Sequence, residues 1–396
     1  MPGFEWLDDQ ETKALVSVMD RGILFRYDMP GGRGTQVAEF EKKFAEFTGA
    51  RFALAVTSGT AAVKVGLVGL GVGPGDEVIV PGFTFVATWE AVFDCGAKPV
   101  FCEIDETLCM DPADLEARIT PATRCIIPVH MMGAQARIAE IKAIADRHGI
   151  PVLEDTAQSA GCTLKGKHLG TFGACGTFSF DAVKTLTTGE GGMVITDDEA
   201  LYQCICEYSD HGHDHKPVGR GNEGRRFHGF NYRMMELQGA LGLVQLQKLP
   251  AMVQRMRENK AALKEALGRV PGLSLRQLPD AAGDSATFLA WYLPDAERAG
   301  QMAQILAEAG QPAIPWGKNT WHAFPNWEHL HAGSTPCKSG WPFKRPDGDA
   351  AYGPAELPRT SQTLGRCLSW QIMLNWDQAK LQQMTAAVNR ASVALG

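Results

Sequence analysis

The chain has 396 residues, 45% hydrophobic and 21% charged, with a net charge of −7 and a pI near 5.8. These values describe a globular protein long enough for two domains and a large core. The acidic balance and the lack of a long lysine/arginine block exclude nucleic acid and an anionic membrane surface as expected partners, and no run approaches the roughly 18 apolar residues of a membrane span.

The N-terminal "MPGFEWLDDQETKALV" is acidic within ten residues and has no apolar core of signal-peptide type. From about residue 35 to 250, helical and strand patterns alternate. "TQVAEFEKKFAEFTG" has apolar residues at helical spacing and stops on Gly49. "FALAVTSG" is a short strand that leads into the helical "AAVKVGLVGLGV". "DEVIVPG" is a strand ended by Pro81-Gly82, "ATWEAVFDCG" a helix closed by Gly96, and "KPVFCEID" a strand. "DPADLEARI" is a helix with Pro112 near its start, "RCIIPVH" a strand and "RIAEIKAIADRHG" a helix. "PVLEDTA", "GTFSFD" and "GMVITDD" are further strands. This alternation predicts an α/β fold with a mostly parallel sheet covered on both faces. "MMELQGALGLVQLQKLPAMVQRMRENKAALKEALG" predicts one or two long helices leading into a smaller α+β domain, with the division placed at residues 1–250 and 251–396. Between 311 and 360 lies a loop rich in Trp, Pro, Gly and His, which is either a binding element or an ordered surface loop. The ten scattered cysteines read as free thiols, which fits a reducing cytoplasm.

Four local arrangements carry chemistry. In "TSGTAAV" (57–63), small residues at a helix start expose backbone N–H groups to an anion, although a plain helix cap would look similar. In "VLEDTAQSAG", a strand ends at Glu154-Asp155 with Gln158 three residues on, so Asp155 either holds a cationic ring nitrogen or caps the next helix. In "GFTFVAT", Phe83 or Phe85 could stack on a planar ligand, with core packing the ordinary alternative. In "GTFSFDAVKTLTTGEGG" (176–192), Ser179 and Lys184 bracket a strand-to-turn junction, where the lysine is either a surface charge or an amine held over a ligand. A phosphate anchor, a ring-nitrogen acid, an aromatic plate and an amine are together the parts expected around pyridoxal 5′-phosphate (PLP).

The ordered set "TSGTAA", "VIVPGFTFVAT", "PVHMMG", "LEDTAQSAG", "GTFSFDAVKTLTTGEGG" and "NYRMMELQ" resembles the DegT/DnrJ/EryC1/StrS sugar aminotransferases, from about residue 24 to 249. The resemblance implies a PLP-dependent transferase fold of the aspartate aminotransferase type, with a seven-stranded, mostly parallel sheet. It implies Lys184 as the Schiff-base lysine, Asp155 as partner of the pyridinium nitrogen and Gln158 beside the ring hydroxyl. Phe85 would stack on the ring, and Gly59, Thr60 and Ser179 would cradle the phosphate. Asn231 would reach the phosphate of a neighbouring subunit, which implies a homodimer with shared sites. The implied activity is ping-pong transamination from glutamate or glutamine to a keto sugar. A catalytically silent PLP-binding regulator is the alternative of another class.

For the sugar, "LFRYD", "SFDAVKT" and "SDHGHDH" resemble the branch that makes 8-amino-3,8-dideoxy-manno-octulosonate, an amino form of the lipopolysaccharide sugar Kdo. A nucleotide-linked keto hexose or an aminocyclitol is the alternative. A carboxylate-bearing sugar would need cations, and Arg26, Arg220, Arg225, Arg226 and Lys216 are the candidates, with surface charge the ordinary reading of each. His211, His213 and His215 alternate, so a strand there would place them on one face; substrate contact at His213 and His215, a structural loop, and a metal are the readings, and the family uses no metal.

Overall fold

A computed structural model describes residues 2–27, 35–216, 222 and 224–396. Seven strands form the central sheet: β1 (Phe52–Val56), β2 (Glu77–Pro81), β3 (Lys98–Cys102), β4 (Thr123–Ile126), β5 (Leu153–Asp155), β6 (Cys175–Ser179) and β7 (Gly192–Thr196). Their order is β3-β2-β4-β5-β6-β7-β1, with β4 joined to β5 through the parallel bridges Ile126–Val152 and Val129–Asp155. Only β7 runs against its neighbours. The carboxyl ends of β1, β2, β5 and β6 therefore lie along one edge of the sheet.

The local sequence explains the elements. Every residue of β6 and β7 is buried, as expected of strands covered on both faces. Thr35 Oγ1 accepts the Ala38 N–H and so caps α2 (Gln36–Thr48), whose C-terminus is closed by Gly49 in the left-handed region. Ser58 caps α3 (Gly59–Gly69) directly after β1. Strand, cap and helix follow one another within four residues, and this brings the α3 N-terminus to the sheet edge.

The long apolar stretch forms one helix, Glu236–Leu267. Residue 250, where the division was placed, is Pro250 inside that helix, which leads from the large sheet's part of the chain into the C-terminal part. The C-terminal part carries a four-stranded antiparallel sheet containing Phe288–Tyr292 and Cys367–Gln371. Its core is continuous with that of the main sheet: Trp291, Trp370 and Val388 belong to the same buried cluster as Phe40, Phe178 and Leu249.

The aromatic segment after residue 311 packs on the large sheet, against the helix Ala87–Asp94 and against β3. Trp327 lies 5.5 Å from Trp89 and Phe324 4.8 Å from Phe101, centroid to centroid. All ten cysteines are free, and no described helix is long and apolar enough to cross a membrane.

Candidate active site

The strand ends that meet at the sheet edge enclose a cavity of about 470 Å³. Seven of the expected cofactor residues line it: Gly59, Thr60, Phe85, Asp155, Gln158, Ser179 and Lys184. They come from four separate strand-to-loop junctions, in keeping with ligand binding outside the carboxyl ends of α/β strands.

Asp155 is the last residue of β5 and is 5% exposed. Its Oδ1 accepts the Ala157 N–H at 3.0 Å and its Oδ2 accepts the Thr88 hydroxyl at 2.8 Å. Thr84 in turn lies 2.7 Å from Thr88, so a chain of two hydroxyls donates toward the carboxylate. Each carboxylate oxygen keeps a lone pair for a cation in the cavity. Burial raises the Asp155 pKa, opposed by those hydrogen bonds and by Lys184. A bound cationic ring nitrogen would oppose that rise.

The neighbouring Glu154 points to the other face. It accepts the N–H groups of Gly170, Phe172 and Gly173 and pairs with His130 Nε2 at 2.9 Å. His130 Nδ1 accepts the Ala136 N–H, so the ring proton sits on Nε2 and is donated to Glu154. His130 N–H also binds the Asp155 carbonyl, and this fixes the end of β5. Gln158 Oε1 accepts the Met132 N–H at 3.0 Å, which leaves its amide NH₂ as a donor for the cavity.

The amides of Gly59 and Thr60 open α3 and have no intrahelical acceptor. Ser179 faces them closely: a Cβ added at Gly59 would stand 2.6 Å from Ser179 Cβ. Only glycine permits this approach, and two helix-start amides and a hydroxyl form an anion cradle. Lys184 follows in the turn after β6, and among the described residues no hydrogen bond holds its Nζ. Burial lowers its pKa, opposed by Asp155 and Asp181. The free amine, the carboxylate with open lone pairs and the glycine cradle fit PLP. Phe85 lines the cavity, whereas Phe83 is fully buried against Trp316.

Several lining residues were not singled out from sequence. Thr84 and Thr88 resemble ordinary helix-start threonines until the fold brings them to Asp155. Trp316, Trp321 and His322 come from the aromatic segment, and Phe288 and Gln371 from the C-terminal sheet. The composition of residues 311–360 was the one signal pointing there.

The proposed sugar-binding cations are placed elsewhere. Arg26 is largely buried and spends its guanidinium on Glu41, at 2.7 Å, and on the Ala55 carbonyl. Lys216 pairs with Asp214, Arg226 with Glu207, and Arg225 donates to His213 Nε2. His213 Nδ1 faces Asp210 at 3.4 Å, and His215 lies against Tyr27, with ring centroids 5.1 Å apart. The segment is not a strand with three histidines on one face: His211 and His215 adopt left-handed backbone angles, φ 56° and 52°. None of these residues lines the cavity, and no cluster able to hold a metal occurs among the described residues. Arg220 lies outside the described residues. Asn231 is exposed and does not line the cavity of its own chain.

Comparison with known proteins supplies the context. The sequence profile described as the DegT/DnrJ/EryC1/StrS aminotransferase family matches residues 8–338. The spore coat polysaccharide biosynthesis protein SpsC of Bacillus subtilis (strain 168) is 42% identical over 271 residues, 67% of this chain and 68% of that protein. GDP-perosamine synthase of Caulobacter vibrioides is 42% identical over 248 residues, 61% of this chain, and the match spans 63% of that relative's length. The crystal structure of an aminotransferase from Psychrobacter cryohalolentis superposes with a TM-score of 0.84 at 27% identity, covering 98% of each chain.

Proposed function

The chain belongs to the DegT/DnrJ/EryC1/StrS aminotransferase family, and from that premise we propose that it moves an amino group from glutamate or glutamine to a nucleotide-linked keto hexose, with PLP as cofactor. The convergence of Lys184, Asp155, Gln158, Ser179, Gly59 and Thr60 on one cavity carries this reading.

When bound, PLP supplies a carbonyl for the incoming amine and an electron-accepting ring. The protein's own groups do the rest. Asp155 would hold the ring nitrogen as a cation through a charge-assisted hydrogen bond, with Thr88 and the Ala157 N–H keeping its carboxylate oriented. Gln158 would donate its amide to the ring oxygen. Ser179 and the first amides of α3 would hold the phosphate. Lys184 Nζ would take the proton from the substrate Cα and return it. Its lowered pKa favours a free base nearer neutral pH, a service arginine could not give.

The charges of the cavity bear on the sugar. Among the described residues lining it, Lys184 is the one lysine or arginine, against the carboxylates Asp155, Asp181 and Glu190. An octulosonate carboxylate would meet like charge there, and Arg26, offered for it, is taken by Glu41. Charge alone does not choose between the sugars, since a nucleotide-linked hexose brings an anionic diphosphate; the choice rests on GDP-perosamine synthase, 42% identical, being by name a maker of a nucleotide-linked sugar. We therefore favour the keto hexose over the octulosonate. The intact Lys184, Asp155 and Gln158 set speaks against a silent regulator. The exposed Asn231 fits a role in a second subunit's site, hence a homodimer, and ten unpaired thiols suit a reducing compartment.

The experiment is two-step. Glutamate is added to the PLP-loaded protein, and loss of the visible cofactor band marks the donor step. The product is then offered GDP- and UDP-linked 4-keto hexoses and 8-oxo-3,8-dideoxy-manno-octulosonate. The fastest band recovery is expected with a nucleotide-linked hexose. Retention of the band with glutamate and glutamine alike would refute transamination, and fastest recovery with the octulosonate would refute the choice of sugar.

A further inference from the structure

One wall of the cavity is built from a segment more than a hundred residues away in sequence from the cofactor groups. Residues 321–323 run beside 83–86: Thr84 N–H donates to the His322 carbonyl at 3.0 Å, Val86 N–H to the Trp321 carbonyl at 3.2 Å, and Phe83 and Ala323 form an antiparallel bridge. This ladder holds the His322 ring 5.4 Å, centroid to centroid, from Phe85.

The protonation of His322 can be read from its partners. Asn319 Oδ1 accepts the backbone N–H groups of Trp321 at 3.0 Å and His322 at 2.8 Å, so this atom is the amide oxygen and not the nitrogen. The same oxygen lies 3.1 Å from His322 Nδ1. An oxygen that only accepts requires the proton on Nδ1. Burial and the nearby Lys184 push the imidazole pKa down to about 4, so the ring is neutral and Nε2 carries a lone pair. Among the described residues Nε2 has no partner, and His322 lines the cavity together with Lys184, Trp316 and Trp321. A neutral acceptor, unpartnered and held on a fixed backbone, is suited to a hydroxyl. Trp321, 64% exposed, stands beside it, 5.8 Å from Phe85, as an apolar surface for the face of a sugar ring.

We propose that His322 is a specificity-determining residue of the keto-sugar subsite, with Nε2 accepting a hydrogen bond from a hydroxyl of the sugar. The assignment rests on the aminotransferase reading above. It adds that glutamate, whose ionised side chain has no hydrogen-bond donor to offer, does not use this contact.

The test separates the two half-reactions. Wild type, His322→Phe and His322→Gln, each loaded with PLP, are mixed with glutamate, and the pyridoxamine forms with whichever keto sugar of the panel the wild type accepts fastest. The phenylalanine keeps an aromatic ring without an acceptor; the Gln Oε1 stands near the position of Nε2. His322→Phe is expected to slow the sugar half-reaction about tenfold more than the glutamate half-reaction, the effect of one lost hydrogen bond, and His322→Gln to recover most of it. The assignment is overturned if Phe slows both half-reactions equally, if it slows neither, or if Gln fails to restore the sugar step. Failure of wild type to react with glutamate or glutamine would instead refute transamination itself, so the two failures are distinguishable.

Discussion

Thr88 Oγ1 donates to Asp155 Oδ2 at 2.8 Å, with Thr84 Oγ1 2.7 Å behind it. The hydroxyl favours the ionised carboxylate, the form that a cationic ring nitrogen needs. Thr88→Val removes the donor while keeping the shape. Cofactor affinity, measured by equilibrium dialysis, is expected to fall on the order of tenfold, the worth of one hydrogen bond to a charged group. Unchanged affinity would mean that the threonine is only packing.

Gly59 is the position where added volume costs most in the phosphate cradle. A Cβ there would stand 2.6 Å from Ser179 Cβ and 2.9 Å from Ser179 Oγ. Gly59→Val is expected to weaken PLP binding by more than about tenfold, since either the α3 amides or the Ser179 hydroxyl must move. Circular dichroism should still show a folded chain. Wild-type affinity in Gly59→Val would show that the cradle is not where the phosphate sits.

The opposing shifts of Asp155 and Lys184 give a stability test in the cofactor-free protein. Burial raises the Asp155 pKa above its unfolded value of about 3.8, so the folded state prefers the protonated acid. That preference is fully present below the unfolded pKa and is lost as pH rises through the folded pKa. Asp155→Asn should therefore raise the apo melting temperature at pH 7, with the gain shrinking as pH approaches 3.8. For Lys184 the folded pKa is lowered. Its stabilising effect is present above the unfolded pKa of 10.5 and lost as pH falls, so Lys184→Met should also stabilise the apo form at pH 7. Both variants should be inactive. A lower melting temperature for either at pH 7 would contradict the directions given.

If Asn231 completes the site of a second chain, two inactive variants should complement each other. Lys184→Ala and Asn231→Ala, co-expressed and randomly assorted, would give one intact site in each mixed dimer and about a quarter of wild-type activity. Activity no greater than the sum of the separate variants would place Asn231 outside the shared site.

What the sequence revealed followed the range of the interactions. Lys184, Asp155, Gln158, Gly59 and Ser179 each sit at a strand end whose strand, turn and cap are encoded within a few residues, so, whereas the roles proposed for them come from the family resemblance, their placement at one sheet edge was legible. Thr88 and His322 were not, because each acquires meaning only from a partner that folding supplies: Asp155 for one, the 83–86 segment for the other. Arg26 shows the same dependence on a partner that folding supplies. Its type suits an anionic substrate, but Glu41, fifteen residues on and buried, claims it first. His213 and His215 likewise spend their nitrogens or ring faces on Asp210, Arg225 and Tyr27. The division placed at 250 falls within one continuous helix, Glu236–Leu267, which runs through Pro250.

The most direct test concerns the amine at 184. Borohydride reduction of the PLP-loaded protein, followed by proteolysis and mass spectrometry, locates the lysine that bears the cofactor. The expected result is a single pyridoxyl modification on Lys184, absent from Lys184→Ala. Modification of a different lysine, or none at all in protein loaded with PLP, would contradict the site described.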